Sequence, residues 1–115
     1  MMRIQDQMVE TANRIINSYG KGCIVTRRVI VCEFIEIYPR KKSSVIPSDY
    51  CYNRINYDFQ SQVNPTLFEY IGRNSYRCWG ENYPYNGLIY QKPKGSVIDD
   101  EVGECVNGIR KYSML

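Results

Sequence analysis

The stretch Ser43-Ser44-Val45-Ile46-Pro47-Ser48-Asp49-Tyr50-Cys51-Tyr52-Asn53-Arg54-Ile55-Asn56 constrains the fold more than any other part of the chain. A basic run, Arg40-Lys41-Lys42, feeds it, and an Asn/Arg/Asn cluster closes it. Serine caps helices, proline suits the first helical position, and aspartate favours the positive end of the helix dipole. These residues predict a short helix that begins at Ser44 or only at Pro47 and ends near Asn53.

Two further helices are expected before it. Ile4, Met8, Ala12, Ile15 and Tyr19 fall on one helical stripe, with polar residues between them. Gly20-Lys21-Gly22 ends that helix, because glycine accepts the left-handed conformation of a C-cap. Cys23-Ile24-Val25 reads as a short β segment and Thr26 as an N-cap for a second helix over 27–38. Ile30, Phe34, Ile37 and Tyr38 would face the core. Val29, Val31 and Ile35 leave a strand as the competing reading, but the Thr26 cap and the stop at Pro39 favour helix.

After a polar linker at 56–66, Leu67-Phe68-Glu69-Tyr70-Ile71 and Tyr76-Arg77-Cys78-Trp79 read as a hairpin turning at 72–75. A third strand is expected at 88–91, closed by Lys92-Pro93-Lys94-Gly95. From Ser96 the chain reads as a tail, with a helix start at Asp99-Asp100 that Gly103 and Gly108 weaken. The expected fold is therefore α+β and winged helix-turn-helix-like. Three N-terminal helices lead into a β-hairpin wing in a domain over 1–95, and 96–115 is an acidic tail or packing segment.

A chain of 115 residues makes one domain. Its apolar runs are too short to span a bilayer and its N-terminus lacks a signal-peptide core, so the cytoplasm of whatever cell makes it is the expected location. Five cysteines without a CxxC pair, and no histidine, argue for reduced structural thiols rather than a disulfide scaffold or zinc. The net charge of +3 divides unevenly. Residues 1–95 carry 13 Lys/Arg against 8 Asp/Glu, and the last twenty carry two against four. A basic body permits nucleic-acid contact without requiring it.

Catalysis finds little in the sequence. Without histidine the Ser-His, Cys-His and HNH arrangements are absent, and Asp49, Asp58, Glu69 and Glu81 sit at no recognisable spacing. No cofactor is expected. Binding fits better. On a reading helix Ser48, Tyr52, Asn53 and Arg54 would reach base edges, with Arg40, Lys41 and Lys42 on the backbone. Arg73, Asn74 and Arg77 would sit on the wing. Each also has a structural use: Ser48 as a cap, Asn53 as a terminator, Tyr52 as core, Arg77 as the wet face of a strand. The eleven tyrosines give a second signal. Trp79, Tyr83, Tyr85 and Tyr90 gather around a Pro84-containing loop, and such residues mark protein interfaces, stack on bases, or close the edge of a core.

The string Ile46-Pro47-Ser48-Asp49-Tyr50-Cys51-Tyr52-Asn53-Arg54-Ile55-Asn56, with Phe68-Glu69-Tyr70 and Gly80-Glu81-Asn82-Tyr83-Pro84-Tyr85-Asn86-Gly87, resembles a small domain of unassigned function. It occurs in bacterial and phage proteins, sometimes beside HNH-type or restriction nucleases. The resemblance covers roughly residues 20–95 and implies a winged-helix-like target-reading module rather than a catalytic one. Two functions are therefore expected. The first is a non-enzymatic protein that binds double-stranded DNA through a third helix and a basic wing. The second is a phage-encoded, anti-CRISPR-like inhibitor that grips a host defence nuclease, or its nucleoprotein complex, through the aromatic loop.

Overall fold

The computed structural model describes residues 2–56, 64–91 and 99–112. The chain opens with helix α1, Ile4–Tyr19. Its stripe buries Met8, Ala12 and Ile15 completely, while Tyr19, at the last residue, stands 60% exposed beyond the core. Two polar residues join the buried face. Gln7 accepts from Arg40 Nε at 2.6 Å, and Thr11 donates its hydroxyl to the Gln7 carbonyl.

Strand β1, Ile24–Thr26, runs directly into helix α2, Arg27–Ile37. The Thr26 hydroxyl accepts from Val29 N at 3.2 Å, satisfying one orphan donor of the first turn. Ile30, Val31 and Phe34 are buried, whereas Ile37 is exposed. The β-branched residues are thus accommodated in a helix, because tertiary burial outweighs their small intrinsic penalty.

The third helix does not exist. Residues 43–56 instead form two single 3-10 turns, Lys42–Ser44 and Pro47–Tyr50, followed by strand β2, Arg54–Ile55. Pro47 is the cause. It would clash with the carbonyl of residue 43 in a continuous helix, and it drives the preceding Ile46 to extended φ −118°, ψ 92°. Each fragment left on either side closes only one turn. Of the two helix starts that the sequence left open, Ser44 and Pro47, the proline rules out the first.

The hairpin is present as β3, Phe68–Gly72, and β4, Ser75–Cys78. With β1 it forms an antiparallel sheet in the order β1-β4-β3. A second sheet follows: β5 (Gly87–Gln91), β6 (Asp100–Val106) and β7 (Ile109–Tyr112), in the order β2-β5-β6-β7. β2 lies parallel to β5 and the other pairings are antiparallel. The winged-helix expectation is therefore overturned twice, by the missing third helix and by a four-stranded sheet where a short tail was expected. The architecture is a mixed α+β fold with helices first and two sheets after. The connections at 57–63 and 92–98, which include Asp58 and the Lys92-Pro93-Lys94-Gly95 run, lie outside the described residues.

Two apolar clusters result. α1, α2 and the inner face of the first sheet enclose one, built on Met8, Ile15, Ile30, Phe34 and Phe68. Tyr52, Ile55, Ile89 and Cys105 form the other, with Trp79, Tyr83, Tyr85 and Tyr112 packed around them. No helix of the described residues is long and apolar enough to cross a membrane.

Candidate functional site

Residues 50–55 join the two sheets. Tyr52 N donates to Phe68 O and Leu67 N to Tyr50 O, so the segment starts alongside β3. One residue later it has moved to β5, where Tyr90 N donates to Asn53 O. Asn53 completes the ladder that its backbone leaves. Its side-chain amide donates to Tyr70 O and accepts from Tyr70 N, both at 2.8 Å, as a strand residue would. Tyr52 is fully buried; its hydroxyl donates to Gly80 O at 2.6 Å and accepts from Tyr83 N at 2.9 Å. Arg54 lies 4.5 Å over the Tyr70 ring and pairs with Asp99 at 3.1 Å. Ser48 accepts from Asn56, which also donates to Asp49. The residues expected to read bases are placed as a joint.

The aromatic loop turns inward as well. Trp79 and Tyr83 stack at 4.1 Å and 9°, and Tyr52 stacks on Tyr85 at 5.5 Å. Glu69 on β3 accepts from Trp79 Nε1 at 2.9 Å and from the Tyr85 hydroxyl, and lies 3.7 Å from Arg77. Arg77 also donates to Gly22 O and sits over Trp79, while Lys21 caps the Tyr83 ring. Burial, then the Glu69 charge, pushes the Tyr85 hydroxyl up to about 12. Of the four aromatic residues, Tyr90 is the one exposed, 38%, beside Leu88.

The basic residues divide between the two ends of α2. Lys41 and Lys42 are exposed just past its C-terminus, and Arg40 is held by Gln7. Arg73 and Asn74 form the β3–β4 turn, with Asn74 at φ 61°. That turn is tied to the opposite end of α2, because Arg27 N donates to Asn74 O at 2.9 Å. An eleven-residue helix is about 16 Å long, so the two groups are separated by roughly that distance. At the N-terminal end Arg73 is joined by Arg27 and Arg28, all three exposed and none in an ion pair among the described residues. Sequence reading missed these two arginines. The signal was there: cations in a first helical turn oppose the dipole, and this turn carries no acid to offset them.

Among the described residues no group of three His, Cys, Asp or Glu side chains is placed to hold a metal ion. Burial raises the thiol pKa values of Cys51, Cys78 and Cys105 and so disfavours their nucleophilic thiolates.

A family profile described as a domain of unknown function, DUF7225, matches residues 3–112. The chain belongs to the DUF7225 family. One relative is a protein of Bacillus subtilis (strain 168) described as "Uncharacterized protein YnaC", 38% identical over 109 residues. That match covers 95% of this chain but only 39% of the relative, so the chain spans about two-fifths of that protein's length. No solved structure matches the DUF7225 chain.

Proposed function

We propose that this domain is a non-catalytic DNA-binding module that grips the phosphate backbone through Arg27, Arg28 and Arg73. One observation carries the reading: three exposed arginines, none in an ion pair among the described residues, flank the backbone bond that ties the β3–β4 turn to the start of α2. The arrangement is unfavourable for the isolated helix, by about 0.3–1 kcal/mol per cation at low salt. A phosphate would relieve it, since guanidinium forks and the positive end of the helix dipole both favour an anion. The basic hairpin turn keeps the role expected of a wing, and the start of α2 takes the place of the missing third helix. Three arginines at a turn and a helix start suit phosphates without fixing a base pattern, so binding should depend weakly on sequence.

Gel-shift titration on a duplex at low salt tests this. Three phosphate contacts predict that log affinity falls against log salt with a slope of roughly −2.7. The Arg27→Ala/Arg28→Ala/Arg73→Ala variant should lose binding, whereas Lys41→Ala/Lys42→Ala, at the far end of α2, should retain most of it. Unchanged binding by the triple variant overturns the proposal.

A further inference from the structure

Two of the five cysteines face each other across the first sheet. The register that pairs Ile24 with Arg77 and Val25 with Tyr76 brings Cys23 opposite Cys78. Cys78 N donates to Cys23 O at 2.8 Å, and Gly22 N donates to Cys78 O at 2.8 Å. Gly22 and Cys23 therefore share one partner, a β-bulge with glycine at φ +83°. Cys23 and Val25 alternate onto the inner face, where Cys78 and Tyr76 also point, and burial followed by the neighbouring Cys23 raises the Cys78 thiol pKa. Directly opposed antiparallel residues hold their Cα atoms about 4.5–5.5 Å apart. That range lies inside the roughly 4.4–6.8 Å window of natural disulfides.

The pair is also asymmetric. Cys78 is fully buried, whereas Cys23 is partly exposed at the end of the strand. Cys32 is exposed on α2, and Cys51 and Cys105 are buried in the two clusters.

We propose that Cys23 and Cys78 are a peroxide-responsive thiol pair that closes into a reversible disulfide between β1 and β4. A peroxide oxygen transfers to the Cys23 sulfur, giving a sulfenic acid and one water. The Cys78 sulfur then displaces that hydroxyl, forming the S–S bond and releasing a second water. The two thiols are oxidised and the peroxide is reduced. Cys23 reacts first because it is reachable; Cys78 resolves because it is adjacent, and that proximity offsets the reluctance of its buried thiol to ionise. The bond staples the bulge to β4 three residues ahead of Thr26, the cap of α2, and a dithiol reductant reopens it.

The test uses the whole folded chain treated with hydrogen peroxide, followed by denaturation, alkylation of remaining thiols and peptide mapping. The expected product is a monomer in which the Cys23 and Cys78 peptides are linked and dithiothreitol restores both. Cys32→Ser should form the same link, and Cys23→Ser should form none. Trp79, next to Cys78 and in contact with Gly22, supplies a second readout as a fluorescence change lost in Cys23→Ser. If Cys23 and Cys78 stay fully alkylatable while Cys32 oxidises, or if the link persists only between chains, the proposal is overturned.

Discussion

Tyr52 shows how much one hydroxyl can hold in place. It satisfies the Gly80 carbonyl and the Tyr83 amide at once, with no water-exposed surface of its own. Tyr52→Phe would leave both groups unpaired beside an apolar ring, which typically costs about 1–3 kcal/mol. Urea denaturation should show that loss as a lower midpoint with an unchanged slope. Tyrosine burial also makes the domain sensitive to alkali. Tyr50 is pushed up to about 12 by burial and then by Asp49, and Tyr85 to about 12 by burial and then by Glu69. An unfolded tyrosine ionises near pH ~10, so the folded state holds these protons longer. Their contribution is complete below about pH 10 and is lost as the pH rises towards about 12. Denaturation midpoints measured across that interval should fall, and Tyr85→Phe should fall less steeply.

At the scale of elements, the last hairpin rests on a close approach. Gly103 on β6 faces Tyr112 on β7, and a Cβ there would meet the Lys111 carbonyl at 2.2 Å. Gly103→Ala should therefore cost about 1–3 kcal/mol through overpacking. Gly72→Ala, with nothing within 4 Å, should lie within about 0.5 kcal/mol of the parent. Thermal melts of the two variants give the comparison. This hairpin was legible in the sequence and was passed over. Asn107-Gly108, at φ 52° and 83°, is the two-residue turn that most favours a hairpin, set here between Val106 and Ile109. α1, α2 and the β3–β4 hairpin were legible because each announces itself locally, by a stripe, a cap or a turn. The 43–56 segment was not, because its conformation is set by partners distant in the chain: Phe68, Tyr70 and Tyr90. The candidate site divides in the same way. Arg73 and Asn74 were visible as a turn, whereas the proximity of Arg27 needed the bond between Arg27 N and Asn74 O.

Across the whole molecule, two clusters of unequal size are coupled through residues 50–55 and through the bonds of Glu69 to Trp79 and Tyr85. Asn53→Ala removes the paired bonds to Tyr70 while leaving the backbone bond to Tyr90, so it weakens the coupling and spares both clusters. The parent should unfold in a single transition, and the variant should begin to separate into two, with the β5–β6–β7 sheet loosening first. Comparing far-ultraviolet dichroism with Trp79 fluorescence through the melt checks this, since coincident curves in the variant would contradict it. The same segment also orders the folding pathway. Its first partner, β3, lies a short loop away, and its second, β5, arrives only after both strands of the β3–β4 hairpin have been made. Closing the nearer loop shortens the search for the farther one, so residues 50–55 act as a relay by which the first half of the chain templates the second.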